Sequence, residues 1–215
     1  MTTSITAAQL DQLKRLGTAT IHEAQGQRGA VDPRIAPLDP TMRLAGPALT
    51  VDIRPGDNLM IHYALTKARP GDVLVVDAKA FVDAGPWGDV LTFAAQQIGI
   101  AGLVIDGAVR DASQIVEMGF PVFCRGLSIR GTNKHQPGKL NLPLILGGAA
   151  VRPGDIVVGD RDGLVIVAAD EVPEVIAASA AREQKEAQMR ERLAQGATMV
   201  ELLGLRETLD SLGLR

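Results

Sequence analysis

The chain has 215 residues, a net charge of -3 and 3% aromatic residues. That length suits one large domain, or a domain with an extension, able to bury roughly 70% of its unfolded surface without disulfides. The acidic balance and few stacking rings argue against a nucleic-acid partner, no apolar run reaches the roughly 18 residues of a membrane span, and a lone cysteine, Cys124, fits a cytoplasmic protein.

In chain order, residues 1–13 lack the basic start and apolar core of a signal peptide. Thr6-Ala7-Ala8-Gln9 has a capping-box pattern and predicts a helix to about Leu16. Residues 18–25 predict a second, short helix ended by Gly26, and 43–54 alternate loosely as a strand. Three Pro-Gly-Asp turns begin at Pro55, Pro70 and Pro153. The first predicts a helix over 58–68, the others strands over 73–76 and 156–158. Further helices are predicted over 89–98 and 112–118, and strands over 103–105, 122–124 and 164–167. Residues 130–142 are polar and glycine-bearing, which suits a long connection or an edge hairpin. A long helix is predicted over 171–194, with Asp170 as cap, Pro173 in its first turn and Gly196 at its end. Thr198 then caps a final helix to about Leu212. The expected division is an α/β catalytic domain over 1–169 and a helical extension over 170–215.

The most informative stretch is Trp87-Gly88-Asp89-Val90-Leu91-Thr92, followed across a strand by Asp106-Gly107-Ala108-Val109-Arg110-Asp111. It places two carboxylates and a guanidinium at the ends of neighbouring elements, a set that suits a hard divalent cation and an anionic substrate. Asp111 also reads as an ordinary helix cap in Asp111-Ala112-Ser113-Gln114, and Asp89 as a favourable charge at a helix start. Gly88 permits close approach, and the first-turn amides of Val90 and Leu91 are free to bind an anion, unless this is a plain helix start. Lys134 is either a second cation for a dianionic substrate or a solvated loop lysine. Lys79 has the chemistry of a Schiff-base amine. His22, His62 and His135 are scattered without a zinc-ligand spacing, and neither Walker A nor Gly-x-Gly-x-x-Gly occurs. On the long helix, Arg182, Glu186 and Arg190 form i,i+4 pairs, and Glu183 is close by. A solvated salt-bridged face explains them, as does a glutamate completing a site on another subunit.

Several of these runs, together with Pro70-Gly71-Asp72-Val73-Leu74-Val75-Val76-Asp77 and Arg130-Gly131-Thr132-Asn133-Lys134, resemble one known family. It unites the class II 4-hydroxy-4-methyl-2-oxoglutarate / 4-carboxy-4-hydroxy-2-oxoadipate aldolases with the regulators of ribonuclease E activity. The resemblance covers about residues 18–167, and the helical tail resembles the aldolase branch. It implies a layered α/β sandwich with a central β-sheet core, of the swivelling phosphohistidine-domain type, plus a C-terminal helical tail. It also implies a homotrimer or homohexamer with sites between subunits.

In the aldolases the position matching Asp111 holds Mg2+ or Mn2+, and that matching Arg110 binds the keto-acid oxygens. The match to Asp89 orients metal-bound water, and the amides of Val90 and Leu91 after Gly88 hold the pyruvate carboxylate. Lys134 matches the loop lysine, and Glu186, with Glu183 as the other possibility, matches a tail glutamate supplied by the neighbour. The resemblance thus implies metal-dependent retro-aldol cleavage of a 2-oxo acid to pyruvate and a second 2-oxo acid, with oxaloacetate decarboxylation alongside. The regulators typically lack the Gly-Asp pair, the Asp of Arg-Asp and the long tail, all of which this chain has. A non-catalytic regulator of ribonuclease E is the alternative. A methyltransferase would need a glycine-rich nucleotide loop that the chain lacks.

Overall fold

The Pro-Gly-Asp turns and the short Val/Ile/Leu runs between them build a sheet whose four parallel strands are joined by single helices. A computed structural model describes residues 5–214. Two N-terminal helices, α1 (Ala7–Leu16) and α2 (Thr18–Ala24), precede the short strand β1 (Ala36–Pro37). The repeating core follows as β2 (Leu44–Asp52), α3 (Leu59–Leu65), β3 (Val73–Phe81), α4 (Asp89–Ile98), β4 (Gly102–Val109), α5 (Ala112–Glu117) and β5 (Val122–Leu127). Short strands β6 (Lys139–Leu140), β7 (Leu144–Leu146) and β8 (Ala149–Val151) lead to the hairpin β9 (Ile156–Asp160) and β10 (Gly163–Val167). The chain ends in α6 (Val172–Ala194), α7 (Met199–Leu202) and α8 (Arg206–Ser211).

The sheet order is β1-β5-β4-β3-β2-β9-β10, with β6 also on β2. Strands β2 to β5 pair in parallel, and β1, β6, β9 and β10 add antiparallel partners. A mixed α/β fold around a mostly parallel central sheet is therefore present. All eight residues of β4 are buried, as expected of a parallel strand covered on both faces. In β9 and β10 the side chains alternate between two cores. Val157, Leu164 and Ile166 face the main core, whereas Ile156, Val158, Val165 and Val167 pack with α1, α2 and the start of α6.

Several local expectations change. Strand β4 runs on to Val109, so Asp106 lies inside the sheet, 7% exposed, bonded to Arg125. Burying that carboxylate requires a partner, and Arg125 supplies it while reaching Asp32 at 3.2 Å. Strand β3 also runs on, through a bulge opposite β4 in which Lys79 and Ala80 are left-handed. Residues 130–142 form a long connection, with β6 pairing to β2 in place of an edge hairpin. Helix α6 has Glu171, not Asp170, at its N-cap, with no side-chain bond there. Thr198 makes its capping box, but the helix stops at Leu202, and Gly204 at φ 64° separates it from α8. No helix among the described residues is long and apolar enough to cross a membrane.

The ion network supplies a stability test. Arg125→Met leaves Asp106 and Asp32 without their buried cation and is expected to cost about 3–5 kcal/mol in urea unfolding at neutral pH. Unchanged stability would show that water reaches these carboxylates.

Candidate active site

Each parallel strand delivers one loop to the same edge of the sheet, where the C-terminal ends of the strands meet. The loop after β2 brings Asn58 and then His62 on α3; the loop after β3 brings Pro86, Gly88, Asp89, Val90 and Leu91. The loop after β4 brings Arg110, and the long connection after β5 brings Lys134. Together they line a cavity of about 260 Å³, at the small end for ligand pockets and suited to a small metabolite. Of the expected residues, Gly88, Asp89, Val90, Leu91, Arg110 and Lys134 are all in its wall.

Trp87 anchors the wall. It is fully buried, stacks on Phe120 with ring centroids 6.1 Å apart, and donates its indole N–H to Thr92 Oγ1 at 2.8 Å. Its carbonyl accepts the Arg110 N–H at 2.9 Å, tying the start of α4 to the end of β4. Gly88 follows with φ -153°, an extended conformation open to any residue, so its small size is what matters. A Cβ there would lie 2.3 Å from Asp111 Oδ2 and 3.1 Å from Arg110 Cγ.

Asp111 itself corrects the capping expectation. It occupies the N-cap position of α5 but in left-handed conformation, φ 57°, and makes no side-chain cap bond. Its carboxylate turns instead to the Asp89 N–H at 3.3 Å and to Arg110 Nε at 3.5 Å. A left-handed aspartate is uncommon and costs backbone energy, so the geometry favours presentation of the carboxylate at the cavity edge. Asp89 Oδ1 takes the Val90 N–H at 2.7 Å. The Val90 amide is therefore already engaged, and among the described residues the Leu91 N–H has no acceptor. The terminal nitrogens of Arg110 are likewise free of ion pairs among the described residues, as is Lys134.

Lys134 is placed by Asp57, which is 1% exposed. One Asp57 oxygen accepts the Leu59 N–H at 2.9 Å, and the other accepts those of His135 at 2.7 Å and Gln136 at 3.1 Å. Burial raises the acid's pKa, but the three N–H donors outweigh it and hold Asp57 below the ordinary value. The lysine loop is thereby locked to the first turn of α3.

Lys79 does not line the cavity. Its Nζ sits 2.9 Å from Asp52 and 2.5 Å from Asp77. Burial pulls the amine's pKa down, yet the two carboxylates win and raise it, which rules against a neutral Schiff-base nucleophile. Glu186 also lies outside the cavity wall of the single chain. It pairs with Arg182 at 3.0 Å and Arg190 at 3.8 Å, and Arg182 in turn approaches Glu23 at 3.8 Å.

Asn58 and His62 escaped the sequence reading because the histidines were weighed only as zinc ligands. The legible signal was Asn-x-x-x-His, one face of one turn, directly after a Pro-Gly-Asp turn.

Among the described residues no group of three His, Cys, Asp or Glu side chains gathers to hold a metal ion. The donors present still fit Mg2+ or Mn2+, which accept one or two carboxylates and fill their remaining positions with substrate and water. The space that a Cβ at Gly88 would fill keeps the Asp111 carboxylate accessible for that role.

Asp111→Gly removes an unfavourable left-handed side chain and no cap. It is expected to match wild type in urea unfolding or exceed it by up to about 1 kcal/mol. A loss of a few tenths of a kcal/mol, the usual cost of glycine at a capping position, would mean that the carboxylate caps α5 in solution.

A family model described as RraA-like, Aldolase/RraA, matches residues 18–166. A protein of Halalkalibacterium halodurans named "Putative 4-hydroxy-4-methyl-2-oxoglutarate aldolase" is 37% identical over 183 residues, spanning 85% of this chain and 87% of that protein. The crystal structure of an uncharacterized protein from Pseudomonas syringae pv. tomato superposes with a TM-score of 0.80 at 31% identity, covering 93% of this chain and 98% of its own. Streptomyces coelicolor RraAS2, described as an unusual member of the RNase ES inhibitor RraA protein family, gives 0.77 at 31% identity, covering 88% of this chain and all of its own. This chain therefore belongs to the RraA-like, Aldolase/RraA family.

Proposed function

We propose that the protein is a divalent-metal-dependent pyruvate aldolase. It cleaves 4-hydroxy-4-methyl-2-oxoglutarate or 4-carboxy-4-hydroxy-2-oxoadipate to pyruvate and a second 2-oxo acid, and decarboxylates oxaloacetate as a side activity. The observation that carries this reading is the convergence of Asp89, Leu91, Arg110 and Lys134 from three loops on one small cavity, with the Asp111 carboxylate, outside the wall itself, against Asp89 and Arg110. On the same reading the α/β unit is of the swivelling phosphohistidine-domain type, with 1–169 as its catalytic domain and 170–215 as a helical extension.

Asp111 would hold the Mg2+ or Mn2+. Once bound, the cation would polarise the 2-oxo carbonyl and help carry its developing negative charge. Arg110 has a free fork for two oxygens of the keto acid, and its charge opposes the enolate oxygen formed when the C3–C4 bond breaks. The free Leu91 N–H, at the positive end of α4, takes an oxygen of the pyruvate carboxylate. Lys134 attracts the distal carboxylate. Cleavage requires the C4 hydroxyl to lose its proton as the C3–C4 electron pair moves to the 2-oxo oxygen. Asp89, with Oδ1 occupied by Val90, has Oδ2 to accept that proton through water. Protonation at C3 then gives pyruvate. Oxaloacetate loses CO2 through the same enolate, so one set of charges serves both reactions.

The likeness to RraAS2 supports a second reading, a non-catalytic regulator of ribonuclease E. One assay decides between them: pyruvate formation from oxaloacetate and from 4-hydroxy-4-methyl-2-oxoglutarate, with Mg2+, with Mn2+ and with chelator. Metal-dependent pyruvate release supports the aldolase; its absence from both substrates would leave the regulator.

Arg110→Lys keeps the charge but loses the planar fork. It should lower kcat/KM for both substrates by about a hundredfold, the scale set by removing one oxyanion donor. Wild-type values would remove Arg110 from enolate stabilisation.

The reading also includes a homotrimer or homohexamer with a shared site. Val90 is 76% exposed and Phe93 57% on the helix that lines the cavity, apolar side chains suited to a neighbouring subunit. Glu186 would reach the site across that interface. Asp111→Ala and Glu186→Ala proteins, each inactive, should regain part of the activity when dissociated and reassembled together, because some interfaces then hold both intact residues. Mixed oligomers confirmed by mass without recovered activity would return Glu186 to its salt-bridged helix face.

A further inference from the structure

Two buried polar atoms of residues lining the cavity have no hydrogen-bond partner among the described residues: Asn58 Oδ1 and His62 Nε2. Asn58 is 6% exposed. Its Nδ2 donates to the Pro86 carbonyl at 2.9 Å. Only the amino group can donate there, so the orientation of the amide is set and Oδ1 is left as a bare acceptor. His62 stands one turn further along the same face, its N–H bonded to the Asn58 carbonyl at 3.2 Å. Burial, and then the charge of Lys134, lower its pKa. The imidazole is therefore neutral near pH 7, with one nitrogen able to donate and the other to accept. Neither group is used in the mechanism above, and buried unsatisfied polar atoms call for an explanation.

We propose that Asn58 and His62 form a hydroxyl-recognition subsite, in which the C4 hydroxyl of a 4-hydroxy-2-oxo acid donates to Asn58 Oδ1 and accepts from His62 Nε2–H. A hydroxyl has the one donor that Asn58 Oδ1 lacks and the lone pairs that His62 Nε2–H needs. A carboxylate has no proton to give Asn58, and an ammonium group would meet Arg110 and Lys134 in the same cavity. The subsite holds the C4–O bond in one orientation and distinguishes a hydroxylated substrate from a 2-oxo acid without the hydroxyl, which would leave both atoms unpaired. Asn58 and His62 thus act in recognition: the hydroxyl has one proton, which turns from Asn58 Oδ1 to the water serving Asp89 before the C3–C4 bond breaks, while Asp89, Arg110 and Asp111 keep their roles. The inference rests on the 2-oxo-acid reading of the pocket.

The test compares kcat/KM for cleavage of 4-hydroxy-4-methyl-2-oxoglutarate with kcat/KM for decarboxylation of oxaloacetate, whose keto form lacks the hydroxyl. Wild type, His62→Leu, His62→Gln and Asn58→Ala are measured with Mg2+ present. The ratio of hydroxy-acid to oxaloacetate activity should fall about tenfold to a hundredfold in His62→Leu and Asn58→Ala. His62→Gln, whose amide can donate from a similar position, should recover part of that ratio. Asn58→Ala also frees the Pro86 carbonyl, so if it fails to fold the two His62 variants decide the question. An unchanged ratio, with both activities falling together or neither falling, overturns the subsite and leaves the aldolase reading intact. Wild-type protein inactive on both substrates defeats the aldolase reading and the subsite with it.

Discussion

The carbonyl of Trp87 accepts the Arg110 N–H, and one residue later the chain passes so near Asp111 that no side chain fits at Gly88. This contact between two consecutive strand-to-helix loops determines what the cavity can be. It brings the positive end of α4 against a guanidinium and a carboxylate that belong to the next repeat. It holds because Trp87 is buried against Phe120 and bonded to Thr92, so the loop cannot retreat without exposing an aromatic ring and breaking an indole hydrogen bond. A large buried anchor next to a glycine lets the backbone approach closely in a repeatable way.

The rest of the site follows from topology. Parallel strands joined by helices put every strand-to-helix loop on one edge of the sheet, so residues far apart in sequence converge without special arrangement. The long connection after β5 is the exception, because no regular element directs it to that edge. There the buried carboxylate of Asp57 acts as the organiser: its three N–H partners hold the turn before α3 and the lysine loop together. Helix α4 carries Leu91, Arg110 directly follows β4, and a buried hydrogen-bond cluster positions Lys134.

Most of the architecture was legible in the sequence because turn chemistry and apolar runs agree there. The 89–98 helix matches the structure in both bounds, and the alternation of short strands with helices yields the mostly parallel sheet. The misses have separate physical causes. Strand β4 was read too short because Asp106 looks like a strand end until Arg125 is seen beside it, a pairing 19 residues away that no local pattern reveals. Asp111 reads in sequence as a cap as well as a metal ligand, because Asp-x-x-Gln is a capping pattern. Only the left-handed backbone shows that its carboxylate points elsewhere. The Asn-x-x-x-His spacing puts Asn58 and His62 on one face, but what singles them out is unpaired atoms, a property of the packed structure.

The charges of the cavity bear on how a cation and a keto acid would share it. Arg110 and Lys134 face Asp89, with Asp111 at the edge, so one chain holds as many cationic as anionic groups. A divalent ion held by Asp111 would have Asp89 nearby but two positive charges in opposition, which makes for weak binding on its own. A 2-oxo acid changes that balance: its carboxylate and keto oxygens give the ion further oxygen ligands, and its negative charge answers Arg110. On the proposed reading, cation and substrate therefore favour each other's binding. Acidic residues from a neighbouring subunit would strengthen the binding of the ion further, and Glu186 on α6, which in the single chain is paired with Arg182 and Arg190, is the tail carboxylate proposed for that role. A site with few carboxylates of its own keeps Arg110 free for an anion, because a fuller acidic cluster would neutralise the guanidinium that, on the proposed reading, opposes the enolate.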